Sequence, residues 1–443
     1  MSKPFCLISG PVFNRSGYGD WATAVAKSII RYDKYDVKVA PQKWGNCQSK
    51  RYIEDISDPE DKMLASKLLQ GQLKKQPDLF VQLSIPNEFQ KVGKYNIGMT
   101  AGIETTVASG EFLEGINRVD LTIAISNHAK NVFLNTKMTK QLPDGRKEDV
   151  VIKKPIEVCF WGADTNIFKK TEERVGTVDE VLEKIPENFA FLFVGQLTHT
   201  GLYHDRKDIG NLVKTFCETF NNNAQVKPCL ILKTSGVGFS TMDRFEVVNL
   251  VNKIRASFTG NPPQVYVLHG ELSELEMNAL FNHPKVKCHV SFTHGEGYGH
   301  PLLLQTLSGK PLLAPNWSGH LDFLNPKYAN LLPGRLEQID KKAANQWLLK
   351  ESQWFKVSYS LAGDKFKQIF NNVGNKTLCD NAELLRVENA EKFSMRSMDK
   401  RLWEILDKYV PQFAVENQFV LPKLKVAGDT QQSQLVLPKL KIG

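Results

Sequence analysis

Apolar residues fall in short unbroken runs along the chain, separated by stretches in which they recur at helical spacing. In the first 160 residues the runs are FCLIS (5–9), DVKVA (36–40), DLFVQL (78–83), YNIGMT (95–100) and DLTIAIS (120–126). Runs that are apolar at consecutive positions suit parallel strands covered on both faces. Residues 20–32 and 57–75 predict the intervening helices, the second with Ser57 or Asp58 as cap and Pro59 in its first turn. A second series follows: FAFLFVG (189–195), PCLILKT (228–234), QVYVLHG (264–270), VKCHVSFT (286–293) and KPLLAPN (310–316). Its expected helices are 208–222, 243–258, 273–282, 301–308 and 340–350, and the polar, proline-containing stretch 141–170 reads as a linker. Two such series predict an α/β chain of two doubly wound Rossmann-like domains facing each other across a cleft, with ligands at the carboxyl ends of the strands.

Length and charge narrow the picture. The chain has 443 residues, too many for one ordinary core, and 57 Lys and Arg against 48 Asp and Glu give it a net charge of +9. That excess favours an anionic partner such as nucleic acid, phosphate esters or lipid headgroups, or else is a basic solvated surface. The seven cysteines include no CxxC pair, and several stand in apolar runs, the pattern of reduced buried thiols. The start has no hydrophobic signal segment, and no apolar run approaches the ~20 residues that span a bilayer. No membrane span is expected, and the expected location is the cytoplasm. Near the end, FVLPKLKVAG (419–428) is echoed by LVLPKLKIG (435–443). Two copies are too few for a solenoid. They read as two short basic strands on the body, or as a duplicated peptide docking on a protein partner's sheet edge.

Two glycine-rich loops carry candidate chemistry. GPVFNRSGYGD (10–20) follows the first strand. Its Gly17, Tyr18 and Gly19 fit a dinucleotide fingerprint on paper, but the second strand ends Val39-Ala40-Pro41 without the acidic residue that would hold a ribose. No Lys-Ser/Thr follows the glycines, so it is not a P-loop. A loop ahead of a helix N-terminus, able to meet a phosphate or a sugar hydroxyl, remains. The second loop lies in THGEGYGHPLLLQTLSGKPLLAPNWSGHLDFL (293–324). There Glu296 stands among glycines after a strand, the backbone N–H groups of Gly297, Tyr298, Gly299 and His300 precede a helix beginning near Pro301, and the turn Trp317-Ser318-Gly319-His320 brings Asp322 to the same edge.

This second stretch resembles the E-G-F-G-L-P-x-x-E-A…G-x-P-V…G-G…E block of retaining GT-B glycosyltransferases, which use nucleotide sugars. The opening G-P-V…R-S-G-Y-G-D, A-G-I-E-T-T (101–106), I-S-N-H-A-K (125–130), F-V-G-Q…D-R-K-D (193–208) and the helix 391–409 extend the likeness over most of the chain. The long arginine–serine–glycine loop and W-S-G-H-L-D-F-L look most like enzymes encoded by large tailed phages.

The resemblance implies a set of roles. Residues 1–158 would form the acceptor-side domain, 159–388 the nucleotide-sugar domain, 389–410 a helix crossing back, and 411–443 a tail. The donor would be a nucleoside-diphosphate sugar, UDP-linked, with no metal and no further cofactor. Arg206, Lys207 and Lys233 would meet the diphosphate, since preorganised cations lower the barrier to its departure. Glu296 matches the donor-sugar ligand of the paired-glutamate motif. The second glutamate is replaced by Leu304, with Gln305 beside it, so ribose recognition departs from the family pattern. Glu104 and His128 would complete the catalytic group, and Arg15, Ser16 and Asp20 would line the acceptor side. A hydroxymethylated pyrimidine in DNA is the favoured acceptor; it would have to be flipped from the duplex to reach a deep cleft. The alternatives are a glycan, lipid-linked or protein acceptor, or a catalytically inactive sugar-nucleotide-binding protein.

Overall fold

The computed structural model describes residues 3–45, 58–198, 201–202, 204–222, 224–235 and 240–413. The duplicated VLPKLK segments lie outside the described residues. In chain order the first unit comprises β1 (Phe5–Gly10), α1 (Gly17–Tyr32), β2 (Asp36–Pro41), α2 (Pro59–Ser66), β3 (Leu79–Leu83), β4 (Tyr95–Thr100), α3 (Gly110–Arg118), β5 (Leu121–Ala124), α4 (Asn127–Asn135), β6 (Met138–Gln141), β7 (Lys147–Val150) and β8 (Ile156–Val158). The second comprises α5 (Gly176–Leu182), β9 (Ala190–Val194), α6 (Ile209–Phe220), β10 (Cys229–Lys233), α7 (Thr241–Ala256), β11 (Val265–Leu268), α8 (Glu274–Asn282), β12 (Val286–Val290), α9 (His300–Thr306), β13 (Leu312–Pro315), β14 (Asn330–Leu332), β15 (Gly334–Gln338), β16 (Gln353–Val357) and α10 (Tyr359–Asn371). Helices α11 (Lys376–Lys392) and α12 (Met395–Tyr409) follow.

Each unit holds a parallel six-stranded sheet, in the orders β2-β1-β3-β4-β5-β8 and β11-β10-β9-β12-β13-β14. The central strands FCLISG, LFVQL and CLILK are buried at every position, because helices cover both faces of the sheets. Three expectations are corrected. The helix over 57–75 is only Pro59–Ser66: Asp58 caps it by accepting from Asp61 N–H (2.9 Å), and the chain then turns to pair Leu68 with Val39. The stretch 141–170 is no simple linker, since it carries the end of the exposed hairpin β6–β7 and β8, the sixth strand of the first sheet. Residues 340–350 form turns. There the Asn345 side chain accepts from Trp347 N–H (2.8 Å) and Leu348 N–H (2.9 Å), offering the backbone an alternative to helix.

The chain leaves the first unit and later returns to it at one place. Ala163 N–H donates to Phe393 O (2.8 Å) and Met395 N–H to Ala163 O (2.9 Å), so the outgoing and returning strands are stitched side by side. A Cβ on Gly162 would lie 2.6 Å from Ser394 O, which explains the glycine there. Helix α12 then packs on α1. Arg31 forks onto Asp399 (2.9 and 3.0 Å), and Trp403 Nε1 donates to Ser28 O (3.1 Å). Glu157 receives Arg401, Lys408 and Tyr409 (2.9, 2.9 and 2.7 Å); burial opposes its charge, but these donors hold its carboxyl at about 2. One apolar cluster runs from β1 and α1 through Tyr298, Leu302 and Phe323 to Met398 and Leu402, so the core is continuous across both units.

Candidate active site at the domain seam

The loop after β9 is built around two buried aspartates. Asp205 accepts from Thr198 N–H (3.0 Å), Thr198 Oγ1 (2.6 Å) and Ile209 N–H (3.2 Å). Asp208, at φ 53°, accepts from Tyr359 OH (2.7 Å) and Asn211 Nδ2 (2.6 Å). Anchored from within on either side, Arg206 and Lys207 have no freedom to leave the seam. Burial pushes the Asp208 carboxyl up to about 8 and His294, which lies 3.7 Å from it, down to about 4. His294 is stacked on Trp354 and hydrogen-bonded through Nδ1 to Phe355 O (2.8 Å).

Glu296 is the acceptor of both cations. Arg206 Nη1 reaches its Oε2 at 3.2 Å and also donates to Gly295 O at 2.8 Å; Lys207 Nζ pairs with Oε1. The Glu296 backbone is pinned to the turn after β13: its N–H donates to Ser318 Oγ (3.0 Å), and its carbonyl accepts from Gly319 N–H (3.0 Å). Ser318 adopts φ 85°, an unusual backbone for a residue with a Cβ. Burial alone would raise the Glu296 carboxyl, but Lys207 and Arg206 hold it at about 2. Burial wins at Lys207, whose ammonium is lowered, whereas at Arg206 the neighbouring Glu104 and Glu296 outweigh burial and raise it.

Glu104, from the loop after β4, completes this group from the other unit, its Oε1 3.8 Å from Arg206 Nε. The units meet tightly here. A Cβ on Gly295 would stand 2.0 Å from Glu104 O, and one on Gly297 2.2 Å from Ala101 O. Ser126 Oγ donates to Gly297 O (2.5 Å), Asn127 N–H to Asp322 Oδ2 (2.9 Å), and Arg15 pairs with Glu271. The glycines of the acidic loop therefore admit the first domain's backbone. His128 lies at the same seam, 4.8 Å from Trp317 at 76° between ring planes. Burial, aided by His320, lowers it to about 4 against a hydrogen bond to the Ile103 backbone, and its buried Nε2 has no partner among the described residues. Burial thus favours its neutral form.

The remaining expected residues divide. Lys233 ends β10 and donates to Gly270 O (2.6 Å), beside the Arg15–Glu271 pair; burial lowers its ammonium. Ser16 caps α1 through Gly19 N–H (3.0 Å), Asp20 lies in the first turn of α1, Gly17 is exposed, and a Cβ on Gly19 would meet Asn14 O at 2.2 Å. Tyr18 bonds Thr100 Oγ1 (3.0 Å) and Ala101 N–H (2.9 Å). Gly299 turns the loop at φ 86°. Three residues expected at the donor are turned away from the Glu296 cluster. Tyr298 is core, edge-on to Phe323; His300 stacks on Trp161 (3.5 Å, 4°); Gln305 is fully buried with neither amide atom partnered among the described residues, while Leu304 takes the half-exposed face of α9. Asp205, Asp208, His294 and Ser318, whose work is to hold neighbours, stood in the quoted motifs without a role of their own, and Glu271, which answers Arg15, was missed.

Two parallel six-stranded sheets meeting along their loop ends have many solved counterparts. The HepE protein of Anabaena, in complex with UDP and glucose, superposes with a TM-score of 0.56 at 11% identity, covering 91% of this chain and 100% of its own. The fold is GT-B. A glycosyltransferase from Rickettsia africae gives 0.59 at 12% identity over 93% and 99% of the two chains. Sucrose-phosphate synthase from Thermosynechococcus elongatus gives 0.58 at 12% over 92% and 98%. Neither any protein family nor any curated protein matches the sequence. Among the described residues no helix is long and apolar enough to cross a membrane, and no three His, Cys, Asp or Glu side chains gather to hold a metal ion.

Proposed function

We propose that this chain is a glycosyltransferase that moves a sugar from a nucleoside diphosphate, UDP by preference, to an acceptor hydroxyl with retention of anomeric configuration. The observation that carries the reading is the Glu104–Arg206–Glu296–Lys207 cluster: two largely buried cations and two carboxylates where the halves of a GT-B fold close. A diphosphate entering there replaces Glu296 as counter-charge to Arg206 and Lys207. Glu296, released but still pinned by its backbone, turns to the donor sugar's hydroxyls. As the bond from the anomeric carbon to phosphate breaks, charge grows on the leaving oxygen, and the two fixed cations stabilise it without reorganisation. No metal is needed in this scheme. Glu104 and the free Nε2 of His128 accept hydrogen bonds from sugar or acceptor hydroxyls and so orient the attacking oxygen. UDP, UDP-glucose or a fluorinated UDP-glucose is bound in several structures of similar fold. A hexose on UDP is accordingly the first donor to test.

The acceptor in this reading is a hydroxymethylated pyrimidine of DNA, supported by the +9 charge and by the likeness to phage enzymes. The enzyme is incubated with UDP-glucose and other sugar nucleotides, hydroxymethylcytosine DNA and EDTA, and the DNA is digested to nucleosides for mass spectrometry. A hexose or pentose increment on the modified nucleoside is expected. Transfer to an oligosaccharide instead would move the acceptor; strict metal dependence, or no use of any sugar nucleotide, would overturn the mechanism.

A further inference from the structure

We propose that Trp44, packed against Tyr18, is an acceptor platform on which a pyrimidine base is laid; this rests on the transferase reading above and names a subsite for it. Trp44 leaves the carboxyl end of β2, where Gln42 N–H donates to Gly10 O (2.7 Å) and ties this segment over the start of the glycine loop. The two rings lie 4.4 Å apart at 32°. Tyr18 is fixed from below, its phenol held by Thr100 Oγ1 and Ala101 N–H and its ring against the edge of the fully buried Trp21, 6.3 Å away at 64°. Tyr18 is thus held in place, and Trp44, which packs on it, is left half exposed.

Position gives this exposure a use. Ala101, which Tyr18 holds by its N–H, presents its carbonyl to Gly297 across the seam. Tyr18, which supports the platform on the first domain, therefore reaches through Ala101 to the loop that carries Glu296. Lys43, next to Trp44, is exposed. A flat aromatic face beside a cation matches a nucleotide's two parts, since bases stack on aromatic side chains and phosphates seek Lys.

The test uses the full chain, a fluorescein-labelled single-stranded oligonucleotide containing one hydroxymethylcytosine, and fluorescence polarisation at one fixed salt concentration. Stacking of one base is worth about tenfold in affinity. Trp44→Ala is expected to weaken binding by about that factor, Trp44→Phe to stay within about threefold of the unaltered chain, and the melting temperature of both to stay unchanged. Equal affinity in Trp44→Ala, or no binding of the oligonucleotide by the unaltered chain, overturns the platform. Weakened binding of an oligosaccharide with the oligonucleotide unaffected overturns the base assignment. Binding that depends on Trp44 without any sugar transfer upholds the platform and counts against the transferase reading alone.

Discussion

Arg206 Nε lies 3.8 Å from Glu104 Oε1, and the same guanidinium reaches Glu296 at 3.2 Å. One cation from the second domain thus faces a carboxylate of each domain. Removing a carboxylate leaves buried positive charge behind, which is costlier than losing an exposed ion pair.

Glu296→Ala is accordingly expected to lower turnover at least tenfold and also to destabilise the chain, by about 3 kcal/mol in the absence of donor. UDP should restore part of the loss, because its phosphates supply the missing negative charge. Thermal unfolding with and without UDP checks this; an unchanged melting temperature in the variant would show that the cations do not depend on Glu296.

Gly297→Ala places a methyl group 2.2 Å from Ala101 O. The substitution should hold the domains apart and cut turnover more than tenfold, with a larger radius of gyration in small-angle scattering. Gly176→Ala, where nothing lies within 4 Å, is the control expected to leave activity unchanged. Full activity in Gly297→Ala would mean that the closed seam is not the working state.

Acid should destabilise the fold in two stages. His128, His283 and His294 are each held near 4, below the ordinary 6.5, so each stays neutral when folded. At these three sites the unfolded chain then binds more protons, so their contribution is full above pH 6.5 and falls as pH drops towards 4, while Asp208, raised to about 8, contributes in the opposite sense. Glu296 and Glu157, held near 2 from an ordinary 4.5, add a second loss between pH 4.5 and 2. Urea denaturation across pH 4 to 8 checks the first stage; His128→Asn should flatten it, and an unchanged slope in that variant would contradict neutral burial.

The strands at the centre of each sheet were legible because burial on both faces leaves runs that are mostly or wholly apolar, as in Leu79–Leu83 and Ala190–Val194. The hairpin strands MTKQ and KEDV were not, since they are mostly exposed and carry no such pattern. In 340–350, apolar spacing suggested helix, but the Asn345 side chain captured the backbone N–H groups that a helix would have used. At the site, Glu296 stood out as a carboxylate among glycines after a strand, while Glu104, His128, Arg206 and Lys207 were marked by the family resemblance. Tyr298 and His300 stood in the same motif, yet their directions depend on the left-handed turn at Gly299 and on Trp161, a partner far away in sequence. Side-chain direction in a glycine-rich loop is a tertiary property. The roles of Asp208 and His294 are likewise visible only once Tyr359 and Trp354 are packed around them.

In the proposed reaction Arg206 and Lys207 receive the diphosphate of the donor. Isothermal titration of UDP into the unaltered chain and into Arg206→Gln and Lys207→Gln tests it most directly. Each lost charged hydrogen bond should cost about 1.5–3 kcal/mol, roughly ten- to a hundredfold in Kd. Saturable one-to-one binding by the unaltered chain, weakened to that extent in both variants, is the expected result. UDP binding of equal strength in all three proteins, or no binding to any, would contradict it.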